Sequence, residues 1–326
     1  MDLNAKEVLN TEGFFSLSEP SLTELLSRDS FYADEVDIFN GVIEWLQFNG
    51  KTKESSQRVL RTVRLNLLDM KELLSRVRPS GFFCPDTILD AIEAKVNVDP
   101  LTLNRRGILI PDDNVARLQH AAEVTEGQQT QCLLDGNSEN YNWDHGFTLH
   151  RIDPEKPEGI TIKLGRPHII NTIRMLLFDR DYRSYSYVIQ VSLDQEKWLK
   201  VVDYSSYYCR SWQELHFQAR VVQYIRVIGT MNTHNRSFHL VAFECLYSTR
   251  PFILSPLFNG LIVPAENVAS VAASATVIEG VSRSRNALLN GNIRDYDWDS
   301  GYTCHQLGSG SIVIQLAQPY VIESMR

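Results

Sequence analysis

The sequence predicts a helical domain followed by an all-β part, a sandwich or barrel that is present once in full and again in part. Three observations carry this reading. Apolar residues recur at helical spacing through the first hundred residues, the period changes to two from about residue 107, and the chain then matches itself at an offset near 153 residues.

In the first part, Ser18-Glu19-Pro20 reads as a helix start, with proline allowed in the first turn, and Leu22, Leu25 and Leu26 then share one face. Asp34 with Asp37 resembles a capping arrangement ahead of Val36, Phe39, Val42, Ile43 and Leu46, with Trp45 nearby, and Asn49-Gly50 ends that helix. Val59, Leu60, Val63 and Leu67 continue the period. Asp69 opens a turn carrying Leu73, Leu74 and Val77, which Pro79-Ser80-Gly81 breaks. Pro85 restarts a helix with Ile88, Leu89, Ile92 and Val96. About five short amphipathic helices result, each needing neighbours to bury its stripe.

In the second part, Ile160, Ile162 and Leu164 alternate with polar residues, as do Tyr187, Ile189, Val191 and Leu193, then Leu215 and Phe217, then Val221, Ile225 and Val227. Turn residues punctuate these runs every ten or so positions, and no helical pattern alternates with them, which argues against a parallel α/β sheet. The self-match is specific. Gly107–Gly127 aligns with Gly260–Gly280 at 9 of 21 positions, Leu133–His150 with Leu288–His305 at 10 of 18, and Ile160–Arg174 with Ile312–Arg326. Copy one runs on to about Tyr247, whereas copy two reaches only the equivalent of Arg174. The chain is therefore expected to be a fragment or a short isoform, divided into 1–100, 107–247 and 260–326, with 260–326 unstable on its own because a half sandwich exposes strand edges.

Composition narrows the function. The 326 residues carry 32 basic and 40 acidic side chains, a net charge of −8, with 43% apolar residues, so the chain is globular rather than disordered. The acidic balance, evenly spread, gives no support for nucleic acid or an anionic membrane as partner. The N-terminus lacks the apolar stretch of a signal peptide and no apolar run has membrane-spanning length, so a cytoplasmic location is expected. Five widely spaced cysteines without a C-x-x-C pair read as free, mostly buried thiols. No P-loop, G-x-S-x-G, H-E-x-x-H or G-x-G-x-x-G before a helix is present, so an enzyme is not expected. Gly308-Ser309-Gly310 precedes a predicted strand and is a weak phosphate signal.

Asp135-Gly136-Asn137, Trp143, the Ile160–Leu164 strand with Gly165 and Pro167, Tyr185-Ser186-Tyr187 leading into Gln190–Asp194, Trp198, Tyr224-Ile225-Arg226 and Glu244 together resemble a discoidin, or coagulation factor five/eight type C, domain. The resemblance implies a jelly-roll-like β-sandwich over 107–247 and, in part, over 260–326. Phe15, Leu17, Leu22, Leu25, Leu26, Asp29, Glu35, Ile38, Phe39, Val42 and Trp45, then Val63, Arg64 and Leu67, resemble a BACK domain, the helical module that follows a BTB domain in adaptors of cullin-based ubiquitin ligases. Arg78–Gly81 and Asp179–Tyr187 strengthen the resemblance to BTB adaptors in which discoidin repeats follow BACK. Against that family the BTB domain and the first BACK helices are missing here. The cullin contact lies there, so this chain is not expected to bind a cullin by itself.

Candidate site residues fall in the loops. Trp143 and Trp298 occupy equivalent positions and read first as buried or semi-buried aromatic anchors of the sandwich, with ligand stacking as the alternative. Asp144 and His145 flank the first of them in a loop suited to recognition. Asp135-Gly136-Asn137 reads as a tight turn. In sugar-binding relatives of the resembled family the region holds a structural calcium, for which Asp135, Asn137 and Asn140 offer oxygens. Arg180, Asp181 and Arg183 read either as a local ion-pair network or as a rim that reads a partner. Tyr207–Trp212 reads mainly as packing. Met231–Arg236, with His234 and Arg236, is a polar loop between strands. His234 and His239 are not placed as a metal pair, and no metal or cofactor is implied. By resemblance, the leading expectation is a non-enzymatic protein-interaction module, the substrate-recognition half of a BTB-type adaptor of a cullin-RING ubiquitin ligase, with a protein substrate or partner. The alternative is a cytosolic module for a glycan, phospholipid or small molecule.

Overall fold

The computed structural model describes residues 4–97, 105–108, 110–155, 158–258, 260–282, 284, 286–308 and 310–326. The chain divides into two units, Met1–Leu109 and Ile110–Arg326. The first is helical: α1 (Ala5–Val8), α2 (Glu12–Phe15), α3 (Glu19–Ser27), α4 (Glu35–Phe48), α5 (Gln57–Leu60), α6 (Met70–Glu72), α7 (Arg78–Ser80) and α8 (Pro85–Asn97). Ser18 caps α3 by accepting the Ser21 N–H, and Asp69 and Glu72 form a reciprocal capping box on α6. Leu22, Leu25 and Leu26 on α3, and Ile38, Phe39, Val42, Trp45 and Leu46 on α4, are buried together. Gly50, with φ of 58°, ends α4 where Asn49-Gly50 predicts a stop.

Three sequence readings are corrected. Asp34 stands at the N-cap of α4 but makes no capping hydrogen bond, and Asp37 pairs instead with Lys6 at 3.0 Å. The Val59–Leu67 run is not one helix. The Arg64 N–H is taken by the Glu35 carboxylate at 2.7 Å, so the chain turns there and buries Leu65 and Leu68 while Leu67 is half-buried. The π-helical turn Leu73–Val77 aims Leu73 and Val77 inward and leaves Leu74 exposed, and Leu89 on α8 is also exposed. The Val96 side chain and Ser309 lie outside the described residues.

A buried ion pair ties this unit together across sequence. Glu35, at the start of α4, meets Arg106 at 2.9 Å, with both side chains almost fully removed from solvent. The Arg106 guanidinium also donates to the carbonyls of Leu26, Arg28 and Thr62, so one side chain satisfies the end of α3, the loop after it and the turn after α5. Because Arg106 lies beyond residue 100, the segment 105–108 is an integral part of the helical unit.

The second unit is antiparallel throughout its main sheet. Strands β1 (Glu123–Glu126), β2 (Thr148–Arg151), β3 (Ile160–Leu177), β4 (Tyr185–Ser192), β5 (Leu199–Asp203), β6 (Trp212–Asn232) and β7 (Ser237–Leu246) form one seven-stranded sheet in the order β2-β7-β3-β6-β4-β5, with β1 also on β3. The runs at Leu215–Phe217 and Val221–Val227 are one 21-residue strand rather than two short ones. β3 and β6 are long enough to serve both layers of a sandwich. The first half of β3 pairs with β1 and its second half with β7, while β6 follows it throughout. The change of layer comes at Gly165–Pro167, where the β3–β6 register shifts between Lys163 and His168. Pro167 has no N–H for the ladder, and a Cβ at Gly165 would collide with the His120 carbonyl. Tyr185, Tyr187, Phe178 and Phe238 are among the largest side chains of the buried core. Of the five free thiols only Cys209 and Cys245 are buried; Cys84 and Cys132 are half-buried and Cys304 is exposed.

The C-terminal segment contains β8 (Ile253–Ser255), β9 (Leu261–Val263), β10 (Thr276–Glu279), β11 (Val281–Ser282), β12 (Thr303–Cys304) and β13 (Val313–Gln315), paired two by two. Its β10–β13 ladder reproduces the bulged β1–β3 register residue for residue, and Gly280 and Gly301 carry the positive φ of Gly127 and Gly146. Ile293, Trp298 and Leu307 stand largely in solvent, whereas Leu261 and Val321 join the core of the main sandwich.

Removing Arg106 strands a buried carboxylate. Arg106→Ala is expected to destabilise the helical unit by about 3–5 kcal/mol in urea denaturation, and Arg106→Lys to recover less than half of that, because an ammonium cannot serve acceptors spread across three segments. A loss below about 1 kcal/mol would show the pair to be dispensable.

Candidate functional site

Four loops meet at one end of the sandwich: residues 135–147 before β2, 178–184 between β3 and β4, 207–211 before β6 and 233–236 between β6 and β7. Asn and Asp side chains shape them by folding back onto nearby backbone. Asp135 accepts the Asn137 N–H, Asn137 those of Glu139 and Asn140, Asn142 those of Asp144 and His145, Asp181 that of Arg183, and Asn232 that of His234. Oxygens of Asp135 and Asn137 considered for calcium are therefore engaged in tight turns. Among the described residues no group of three or more His, Cys, Asp or Glu side chains is placed to hold a metal ion. Gly146, at φ 83°, closes the first loop where a side chain would strike Asn140 and Tyr141.

The buried Phe178 ring joins the loops. Tyr141, Trp143 and Phe147 pack on it with ring centroids 5.7, 5.3 and 5.8 Å away. The Arg183 guanidinium lies 4.7 Å from the same ring and 5.5 Å from that of Trp143. Asp181 accepts both prongs of the Arg183 fork, Nε at Oδ1 and Nη2 at Oδ2, each at 2.7 Å. Burial opposes ionisation of Asp181, but its bonds to Arg183 outweigh that and hold the carboxyl below its ordinary range. His234 faces the same carboxylate at 3.8 Å. Arg210, itself buried, donates to the carbonyls of Asp179 and Asp181 and lies under the exposed Tyr182. Tyr141 donates to Asp179, and Arg180 stacks over Tyr141 at 4.2 Å. Beneath them His239, hydrogen-bonded to the Tyr185 hydroxyl, is pushed down to about 4, chiefly by burial and next by the Arg183 charge.

The structure thus gathers Trp143, Arg180, Asp181, Arg183 and His234 into one connected cluster. Asp144 and His145 are exposed on the same turn as Trp143. Arg236 lies in the neighbouring loop, its carbonyl accepting the Ile152 N–H and its side chain exposed. Two expectations change. Trp143 is 59% exposed and Trp298 is 89% exposed, so neither is a buried anchor of the sandwich. Arg183 is 6% exposed, which makes it a strut beneath Trp143 and not an outward contact. Phe178 and Arg210 were not singled out individually from the sequence. Their role depends on segments far apart in the chain meeting at one end, and only the density of Asp, Arg and Tyr at 179–187 pointed toward it. Tyr182 and Tyr208, 69% and 64% exposed, complete the outer surface.

Comparison with known proteins accords with this architecture. The BACK family (BTB And C-terminal Kelch) matches residues 1–78 and the F5/8 type C domain matches residues 119–243. Over all 326 residues the chain is 56% identical to BTB/POZ domain-containing protein 9 of Homo sapiens and 48% identical to the protein of that name from Drosophila melanogaster, covering 52% and 44% of them. The chain spans about half the length of these curated relatives. Solved structures similar to part of it include CBM32 of AlyQ in complex with 4,5-unsaturated mannuronic acid, with TM-score 0.32, 18% identity, and coverage of 39% of this chain and 94% of that one. Chitosan-binding module 1 from a Paenibacillus sp. IK-5 chitosanase/glucanase has TM-score 0.31 and 23% identity, covering 40% of this chain and 97% of that one.

The buried neutral His239 links this end of the sandwich to pH. Its value is about 4 in the fold against 6.5 as the ordinary value, so the unfolded chain binds the extra proton first. Stability is expected to fall as pH drops from about 6.5 towards 4, by on the order of 2 kcal/mol from this group. Asp181, with a depressed carboxyl, adds its loss only at lower pH, as it becomes protonated. His239→Gln is expected to flatten the slope between pH 6.5 and 4 in urea titrations; an unchanged slope refutes the assignment.

Proposed function

We propose, for a chain that belongs to the BTB-protein family through its BACK and F5/8 type C domains, that the loop end of the sandwich is a protein-docking surface. The exposed Trp143 ring, held from below by Phe178 and by the Asp181-clamped Arg183, is the observation that carries this. A rigid aromatic surface loses little entropy on binding, and aromatic and arginine side chains supply most interface hot spots. Tyr182 and Tyr208 extend the patch. Asp144, His145, Arg180, His234 and Arg236 give it a mixed-charge polar rim suited to a protein partner.

In the whole protein, of which this chain is similar to about half, the surface serves as the substrate-recognition part of a BTB-type adaptor. The helical unit acts as a spacer towards a BTB domain that engages a cullin-RING ubiquitin ligase in the cytoplasm. The mechanism is proximity: the partner held at the loops is presented to the ligase, and no bond is made or broken by this chain. Residues 260–326, with their matching ladder and glycine positions, are a truncated second repeat of the same module.

The test is affinity capture from cytosol with the full chain, followed by binding of the purified captured protein. Trp143→Ala is expected to weaken that binding by about 2 kcal/mol, roughly thirtyfold, without lowering the unfolding midpoint by more than a few degrees. Binding that is indifferent to Trp143→Ala and Tyr182→Ala would remove the surface from consideration. Trp143-dependent binding on a glycan array with no protein retained would replace the protein-docking reading with the ligand-binding one.

A further inference from the structure

The long strand β6 leaves one edge open. Over Trp212–His216 it pairs with β3 on one side, but β4 reaches it only from Tyr224 onwards. An open edge of this kind needs a cover. The C-terminal segment supplies it. The Gln318 side chain, 2% exposed, accepts the Glu214 N–H at 2.7 Å and donates to the Glu214 carbonyl at 2.8 Å, so one amide satisfies both backbone groups as a neighbouring strand would. The Ala317 carbonyl next to it accepts from the Arg210 N–H at 2.8 Å and from the buried Gln213 amide at 2.9 Å. Val321 and Leu261 carry the contact into the sandwich core.

The same contact reaches the loop that supports Trp143. Arg210, held at its backbone by Ala317, grips the Asp179 and Asp181 carbonyls with its guanidinium. Gln315 donates to the Ser184 hydroxyl at 2.8 Å, at the other end of that loop. Both ends of 179–184 are therefore fastened, directly or through Arg210, to residues 315–318. We infer that residues 313–322 are a built-in brace: they close the open edge of β6 and fix the 179–184 loop in the conformation that carries the Asp181–Arg183 clamp. Gln315 and Gln318 are positioning residues, acting on the proposed docking surface from behind. The inference deepens the function proposed above, and its test needs no partner, so the two fail separately.

Hydrogen–deuterium exchange of the full chain, read peptide by peptide, gives that test. In Gln318→Ala, amide exchange across 179–184 is expected to rise about tenfold, with strands 187–191 and 238–243 unchanged. Faster exchange confined to 313–322, with 179–184 as in the wild type, would overturn the brace. If Gln318→Ala loosens the whole unit, Gln315→Ala decides, because it removes only the bond to Ser184. Faster exchange at 179–184 with an unchanged core upholds the inference, and no change there refutes it.

Discussion

The antiparallel pairing of β3 with β6 is the constraint on which the second unit depends. Every other strand of the main sheet attaches to this pair directly or through one neighbour. Both strands are long and change layer together, with Gly165 and Pro167 breaking the ladder at the bend. One continuous ribbon thereby becomes two faces enclosing the Tyr185, Tyr187 and Phe238 core. Where the pair ends, at Leu177 and Trp212, the chain must leave the sheet. The loops that carry the exposed aromatic cluster gather at that end.

What those loops do follows from how their charges are buried. An Arg–Asp pair that is largely desolvated costs free energy unless its hydrogen bonds are complete. Here the fork of Arg183 is met by both carboxylate oxygens of Asp181, and its flat face rests against Phe178. This arrangement supports Trp143 from below while leaving more than half of the ring in solvent. The helical unit uses the same device differently. Glu35 and Arg106 join segments distant in sequence and face no solvent, so their effect is on stability alone.

Much of this architecture was legible in the sequence. The shift from helical period to alternation placed the two units, the Ser18 cap and the Asn49-Gly50 stop bounded the helices they should, and the Leu22 and Trp45 faces went inward. Local pattern failed where a distant residue intervened. The helix expected through Val59–Leu67 breaks because Glu35, nearly thirty residues away, takes the Arg64 N–H. Strand β6 looks like two pieces in sequence because Gln218–Arg220 interrupts the alternation, although its pairing with β3 continues past the bend. By residue type Trp143 reads as a buried or semi-buried anchor, because large aromatics dominate core packing; it does pack on Phe178, but its outer side is exposed. Nothing local announces that Phe178 and Arg183 fill the space beneath it and leave its outer face uncovered.

Trp143 is exposed and yet held. Fluorine NMR of the full chain labelled with 5-fluorotryptophan tests it most directly, with the Trp143 resonance assigned by Trp143→Phe. The chain contains its own references, the buried Trp45 and the solvent-exposed Trp298. The Trp143 resonance is expected to shift on transfer to deuterium oxide, as that of an exposed ring does, and to keep a linewidth like that of the buried Trp45. A Trp143 signal markedly narrower than that of the buried Trp45, as a freely mobile ring gives, would contradict it.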